Sequence, residues 1–458
     1  MKAKGVVLTK WMLTLLLPFS VVTARAQTSC KDCNVVLISL DTLSANRLGA
    51  YDPKKINSPN IDKLASSASV YKNAFAPSSW TLPSHGSMLT GFSPASLGLW
   101  SMTDRLPKGS PTLAAILKKN GYMTAAFTGG VFLTKEYGFD RGFDRFWDVS
   151  GLTVNANTKG GAPFDQSIAW LKEKRTKPFF LFVHSYQAHE PYSPSPEALA
   201  KLDPSKTRSF DTVTHKTLLE WRLGKAAMKS GDAKDLSLLY DAAIFDLDVH
   251  VGRLLDEIKN LKLDLNTMII VTSDHGQEFG EHDCHGCHGH SVYDEILRVP
   301  MIVKIPGAPG RDLASPVSTM DIVPTVLRAL GLPASPAIDG SALPLVDPSE
   351  SIERAFVATS PGKDETSPVE EDLLAKIDKG DVTFGLLKPS VASGFHPIRT
   401  FQTGLRSVRS GQYKLVVDHF SGRLRLYDLK KDPGETKDVA EALPAVASHL
   451  KTKLILGK

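Results

Sequence analysis

Three stretches of this chain are apolar at nearly every position: Asn34–Leu40, Pro178–His184 and Thr267–Ser273. Runs of that length suit strands buried on both faces. Tyr122–Thr128 reads as a fourth strand, preceded by a helix over Thr112–Lys119 that Gly121 stops. Ser58 and Pro59 open a short helix running to Ala65, and Phe164–Lys174 is amphipathic. Ser84–Thr90 reads as a helix entered through Pro83 and stopped by Gly91. The longest periodic segment is Leu236–Leu261, where Tyr240, Ile244, Leu247, Val251, Leu254, Leu255 and Ile258 follow a helical period. Its Asp246 and Asp248 fall on a solvated or buttressing face. Val317–Thr325 leads into a helix that ends at Gly331. Val408–Val417 and Leu424–Leu429 read as antiparallel strands, with a turn at Asp432–Glu435. Ser193–Lys234 and residues 361–400 read as irregular, and there is no internal repeat. The chain is therefore of the α/β class.

Composition narrows the setting. Of the 458 residues, 42% are hydrophobic and 22% charged, as in ordinary globular proteins. Lys2, Lys4 and Lys10 precede a short apolar run over Trp11–Val22 that Pro18 interrupts, and Ala24-Arg25-Ala26 follows. This is the layout of a signal peptide over residues 1–26, with the mature chain starting near Gln27. The expectation is a periplasmic or secreted protein without a stable membrane anchor. The net charge of +5 falls to near +1 once the leader's Lys2, Lys4, Lys10 and Arg25 are removed. That balance argues against nucleic acid as a partner. Oligomeric state is not legible. The four cysteines form two Cys-x-x-Cys pairs, Cys30/Cys33 and Cys284/Cys287. Local disulfides or free thiols are expected. Cys284-His285-Gly286-Cys287-His288 also matches a c-type haem attachment pattern, though only as one short match in a His-rich loop.

Candidate chemistry sits where the strands end. Asp41 follows the first strand and Asp274-His275 the last of the three. Such ends converge on one edge of an α/β sheet, where ligands bind. Carboxylate and imidazole together suit one divalent metal ion; mixed oxygen and nitrogen ligation admits Mn, Zn, Ca or Mg. Thr81 lies near a helix start, which favours anions. His189 follows the Pro178 strand. His282, His285, His288 and His290 crowd one later loop.

These motifs resemble the sulfatases of the alkaline phosphatase superfamily. Thr81-Leu82-Pro83-Ser84-His85, ending Leu89-Thr90-Gly91, is similar to their Cys-x-Pro-x-Arg…Leu-Thr-Gly segment. Asn34–Leu64, Thr272-Ser273-Asp274-His275-Gly276, His189-Glu190-Pro191-Tyr192 and Arg298–Val303 resemble further family elements, so the likeness covers most of residues 34–455. The resemblance implies a mixed sheet sandwiched by helices, with a small C-terminal antiparallel-sheet subdomain. It divides the mature chain into a catalytic domain over 27–345 and a subdomain over 346–458. It also implies that His189, and either His288 or His290, meets the substrate anion. The departures are informative. Thr81 replaces the formylglycine precursor, His85 the Arg, and Thr42 a second Asp; the Gly-Lys-Trp-His element is missing.

Asp41, Thr81, Asp274 and His275 as a set resemble the single-metal site of lipoteichoic acid synthases and phosphoethanolamine transferases, which use a Thr nucleophile. The expectation is an exported metal-dependent hydrolase or transferase of phosphate-type esters. Thr81 would be the nucleophile, His85 would position it, and His189, His288 and His290 would hold the anion or move protons. The rival readings are a sulfatase without formylglycine, a non-catalytic binding protein of the same fold, and a redox or haem protein built on Cys284–His288.

Overall fold

The computed structural model describes residues 30–130, 132–149, 160–335, 337–344, 354–361 and 404–456, with a few positions between 371 and 378. The leader and nearly all of 361–400 lie outside the described residues, as does the junction at 345/346.

An eight-stranded sheet forms the centre. Its order is Arg311–Leu313, Ser69–Tyr71, Met301–Lys304, Thr267–Thr272, Asn34–Leu40, Phe179–Ser185, Met123–Thr128, Arg145–Asp148. Met301–Lys304 runs antiparallel to both its neighbours, and the other pairings are parallel, so the sheet is mixed. The three apolar runs are adjacent central strands, as their burial on both faces requires. Alternate residues of Asn34–Leu40 feed two cores. Val35 and Leu37 join Leu82, Met88, Leu113, Leu117, Val323 and Leu327 on one side. Val36, Ile38 and Leu40 join Leu236, Tyr240, Ile244, Leu247, Val251 and Ile258 of the long helix on the other. Burying such side chains is worth about 1.5–3 kcal/mol each, which makes the sheet the rigid base of the molecule.

The long helix spans Asp232–Asn260, one turn earlier than its apolar period predicts. Asp232 and Asp235 in that extra turn complement the helix dipole. Asp248 is a buttress: its carboxylate accepts from the backbone N–H groups of Asn60 and Ile61 at 2.9 and 2.8 Å and so anchors the Pro59–Ala65 helix. The segment Ser193–Lys234 is not irregular. It contains helices Pro196–Leu202 and His215–Arg222, whose first turns are capped by the Ser195 and Thr214 hydroxyls.

A second, four-stranded antiparallel sheet is formed by Phe356–Ser360, Leu405–Ser410, Tyr413–Asp418 and Leu424–Asp428. Gly411, at φ 59°, turns the predicted single strand Val408–Val417 into two. The helix Pro444–Leu456 covers one face through Ala447, Leu450 and Leu454. The other face meets Phe75, Val292 and Leu297 of the main body. Among the described residues no helix is long and apolar enough to cross a membrane.

Candidate functional site

The helix carrying the candidate nucleophile spans Thr81–Thr90 and starts three residues before the predicted Ser84. Pro83 lies within the first turn, where a missing N–H costs nothing, so the helix runs back through it. Trp80 is extended at φ −152°, and Gly91, at φ 78°, ends the helix in the left-handed region. Thr81 is thereby the first helical residue. Its Oγ1 lies 3.4 Å from Asp41 Oδ2 and 3.3 Å from His275 Nε2. Asp41, Asp274 and His275 stand just past the ends of two neighbouring parallel strands. The sheet thus brings together four residues that are far apart in sequence.

Asp41, Asp274 and His275 fit a metal ion. One ligand atom from each lies within 4.8 Å of the others, and all three residues are fully buried. Among the described residues Asp41 Oδ1 and Asp274 Oδ2 accept no hydrogen bond, although His85 Nδ1 and His275 Nε2 each lie 3.3 Å from Asp274 Oδ2. Two buried carboxylates side by side repel. Burial, then the charge of Asp274, pushes the Asp41 carboxyl well above the usual range. A cation between them relieves both the repulsion and the cost of burying charge. The His275 Nδ1–H donates to the Gly276 carbonyl at 3.0 Å, which leaves the Nε2 lone pair for a ligand. Thr42 offers nothing: its hydroxyl donates to the Asp41 carbonyl at 2.7 Å.

Two further histidines support this set. His85 Nε2 accepts from the Ser39 hydroxyl at 2.8 Å, and its Nδ1–H donates to the Thr81 carbonyl at 3.0 Å. Both ring nitrogens are occupied, so His85 holds the first turn of the helix against the sheet. His184, at the end of the Phe179–Ser185 strand, donates from Nε2 to Asp41 Oδ2 at 3.0 Å. Sequence reasoning missed His184. Its one signal is a polar residue ending an apolar strand beside Asp41's strand.

The remaining histidines divide. His189 stacks on Tyr186 at 4.0 Å, His288 stacks on His275 at 4.6 Å, and their own rings are 4.8 Å apart. His189 and His288 therefore join the Thr81 cluster. His290 instead donates to Glu278 Oε2 at 2.9 Å and lies beside Cys284 and Cys287. Glu190, also missed, is buried between His189, His288 and Arg222, with Arg222 Nη2 3.0 Å from its Oε1. Burial opposes its charge, but the two imidazoles and Arg222 outweigh that and hold its carboxyl well below the usual range. Both cysteine pairs are disulfides, Cys30–Cys33 and Cys284–Cys287. With both sulfurs so engaged, the Cys284–His288 stretch has no thiol for haem.

The fold agrees with solved structures to which the chain is similar. The phosphonate monoester hydrolase of Agrobacterium radiobacter superposes with a TM-score of 0.70 at 22% identity, over 92% of this chain and 95% of that one. A protein solved with its substrate D-glucosamine-2-N,6-O-disulfate also gives 0.70, at 18% identity, over 93% and 97% of the two chains. In sequence, a sulfatase of Formosa agariphila is 26% identical over 391 residues, 72% of this chain and 76% of its own. The iduronate 2-sulfatase of Mus musculus is 27% identical over 398 residues, 68% and 71% of the two chains. The family model named Sulfatase matches residues 33–332, which include Asp41, Thr81, His189, Asp274, His275 and His288. The chain is a hydrolase that belongs to the sulfatase family.

Proposed function

We propose that this protein is an exported, metal-dependent hydrolase or transferase of phosphate-type esters whose nucleophile is Thr81. The carrying observation is the place of the Thr81 hydroxyl, within 3.4 Å of both Asp41 and His275 at a helix N-terminus. Threonine cannot be oxidised to formylglycine, so a sulfatase mechanism through a formylglycine hydrate is closed to it. A hydroxyl beside buried carboxylates is the part a direct displacement needs. Asp41, Asp274 and His275 would hold one divalent ion. Such an ion, when bound, lowers the pKa of a neighbouring hydroxyl and polarises the ester oxygen.

The chain's own residues supply the remainder. Thr81 Oγ attacks phosphorus as the bond to the leaving oxygen breaks, the hydroxyl proton passing to that oxygen by way of His189 or His288, and the backbone N–H groups of its helix turn favour the anion. His85 fixes the Thr81 backbone. His189 and His288 face the anion and carry protons. His290 serves the Glu278 loop and stands outside this set. The leader and two disulfides support export. A fold neighbour is named a phosphonate monoester hydrolase and another a 2-O GAG sulfatase, so the fold hosts both ester types. Family membership favours the second reading, cleavage of a sulfate ester by the same threonine.

The test is turnover of p-nitrophenyl sulfate, phosphate monoester and phosphodiester by metal-loaded protein, beside Thr81→Ala. Phosphate-type turnover that vanishes in Thr81→Ala supports the proposal. Sulfate turnover that survives the substitution overturns it. Silence on every ester with metal bound favours the binding-protein reading.

A further inference from the structure

A chain of hydrogen bonds outside the metal set decides which nitrogen of His288 carries its proton. Arg222, on the His215–Arg222 helix, pairs with Glu190 Oε1 at 3.0 Å. Glu190 is thereby a carboxylate and can only accept. Its Oε2 takes a hydrogen bond from Gln277 Nε2 at 3.0 Å. That contact fixes the amide, because only its NH₂ end can face a carboxylate. The Gln277 carbonyl oxygen must then face His288, whose Nδ1 lies 2.9 Å away. An amide oxygen accepts, so Nδ1 must be the protonated nitrogen, and a neutral His288 keeps its lone pair at Nε2. Arg222 also donates to the Gly286 carbonyl. The same guanidinium therefore holds the Glu190 loop and the hairpin that carries His288. His288 itself stacks on His275, whose Nε2 is 3.3 Å from Thr81 Oγ1.

We infer that Arg222, Glu190 and Gln277 are positioning residues that lock His288 as the Nδ1–H tautomer, and that His288 consequently acts as a proton acceptor at Nε2. This rests on the threonine reading above. In the second half of that reaction, water oxygen bonds to phosphorus and the bond from phosphorus to Thr81 Oγ breaks. One water proton passes to His288 Nε2, which returns it to Thr81 Oγ. No other reactant is needed.

The experiment labels the protein with [15N]histidine and identifies the His288 signals as those absent from His288→Ala. The expected result is a proton-bearing Nδ1 and an unprotonated Nε2 in the unsubstituted protein, with mixed tautomers in Gln277→Met, which keeps the side-chain length. kcat should fall about tenfold in Gln277→Met, the factor one hydrogen bond carries, with KM little changed. Arg222→Lys should restore most of the kcat that Arg222→Met loses. A proton on Nε2 in the unsubstituted protein overturns the inference, as does an unchanged kcat in Gln277→Met. The tautomer is read without turnover. A Thr81→Ala protein that stays active would sink the nucleophile assignment while leaving the tautomer result standing.

Discussion

His85 donates its Nδ1–H to the carbonyl of Thr81, 3.0 Å away and four residues back on the same helix. Its other nitrogen is tied to Ser39 on the first strand. Burial pushes this imidazole down to about 3, so it is neutral in the fold. A depressed base contributes stability above its unfolded value of 6.5 that is lost as pH falls toward 3. Between pH 7 and 5, His85 alone should cost the metal-free protein about 2 kcal/mol, at about 1.4 kcal/mol per unit. Urea melts at the two pH values measure this. His85→Gln should shrink the difference while lowering stability at pH 7 by about 2–4 kcal/mol, since it disturbs two buried hydrogen bonds.

The Asp41, Asp274 and His275 set should bind one divalent ion per chain. Loading with Mn, Zn, Ca and Mg in turn, followed by metal analysis of the desalted protein, identifies which is retained. The retained ion should raise the melting temperature, because it binds only the folded chain. Asp274→Ala should abolish both retention and the rise. Thr81→Ala should keep the ion, since both carboxylates and the imidazole remain. Equal retention by Asp274→Ala would place the ion elsewhere.

Much of this was legible in the sequence, for physical reasons. Central strands announce themselves because burial on both faces leaves only apolar residues, and Asp41 and Asp274 stand out as charges at the ends of such runs. Thr81 was legible through its frame rather than its chemistry. His184 was not, because a histidine within an apolar strand carries no sign of the carboxylate on the next strand. Glu190, Gln277 and Arg222 were hidden for a similar reason. Their meaning lies in mutual contacts across 87 positions of sequence between Glu190 and Gln277. The two helices in Ser193–Lys234 were missed because each is short. Their capping signals, Ser195-Pro196 and Thr214, were present in the text.

The two disulfides should behave differently. Cys284–Cys287 closes the hairpin that leads directly into His288. Cys30–Cys33 sits at the opposite end of the Asn34 strand, where the Cys30 N–H donates to the Ala329 carbonyl at 2.7 Å. Each closes a short loop, so neither constrains much of the unfolded chain. Replacing Cys284 and Cys287 by Ser should lower kcat about tenfold or more through His288, with a small change in melting temperature. The same replacement at Cys30 and Cys33 should leave kcat unchanged. Equal kinetics in the two double variants would remove the hairpin from the site.

Lys414 ties the C-terminal sheet to Asp294, which opens the short helix Asp294–Leu297 after the histidine loop. It is 2% exposed in its side chain and lies 2.8 Å from both Asp294 and Glu435. The Glu435 carboxylate also accepts from the Asp294 backbone N–H at 2.7 Å. Burial raises Glu435 to about 7 even with the ammonium beside it. Removing Lys414 therefore strands one carboxylate in a dry interface. Asp294 keeps Arg409 as a partner, while among the described residues Glu435 loses its one cation. Lys414→Met should cost about 3–5 kcal/mol, as breaking a buried pair from one side does. Adding Glu435→Gln should recover a large part of that loss, because an amide needs no counter-charge and still accepts from Asp294. A double-mutant cycle by urea unfolding at pH 8, where Glu435 is ionised in the parent, gives the coupling. Additive losses would mean that Lys414 stabilises the sheet by packing rather than by neutralising Glu435.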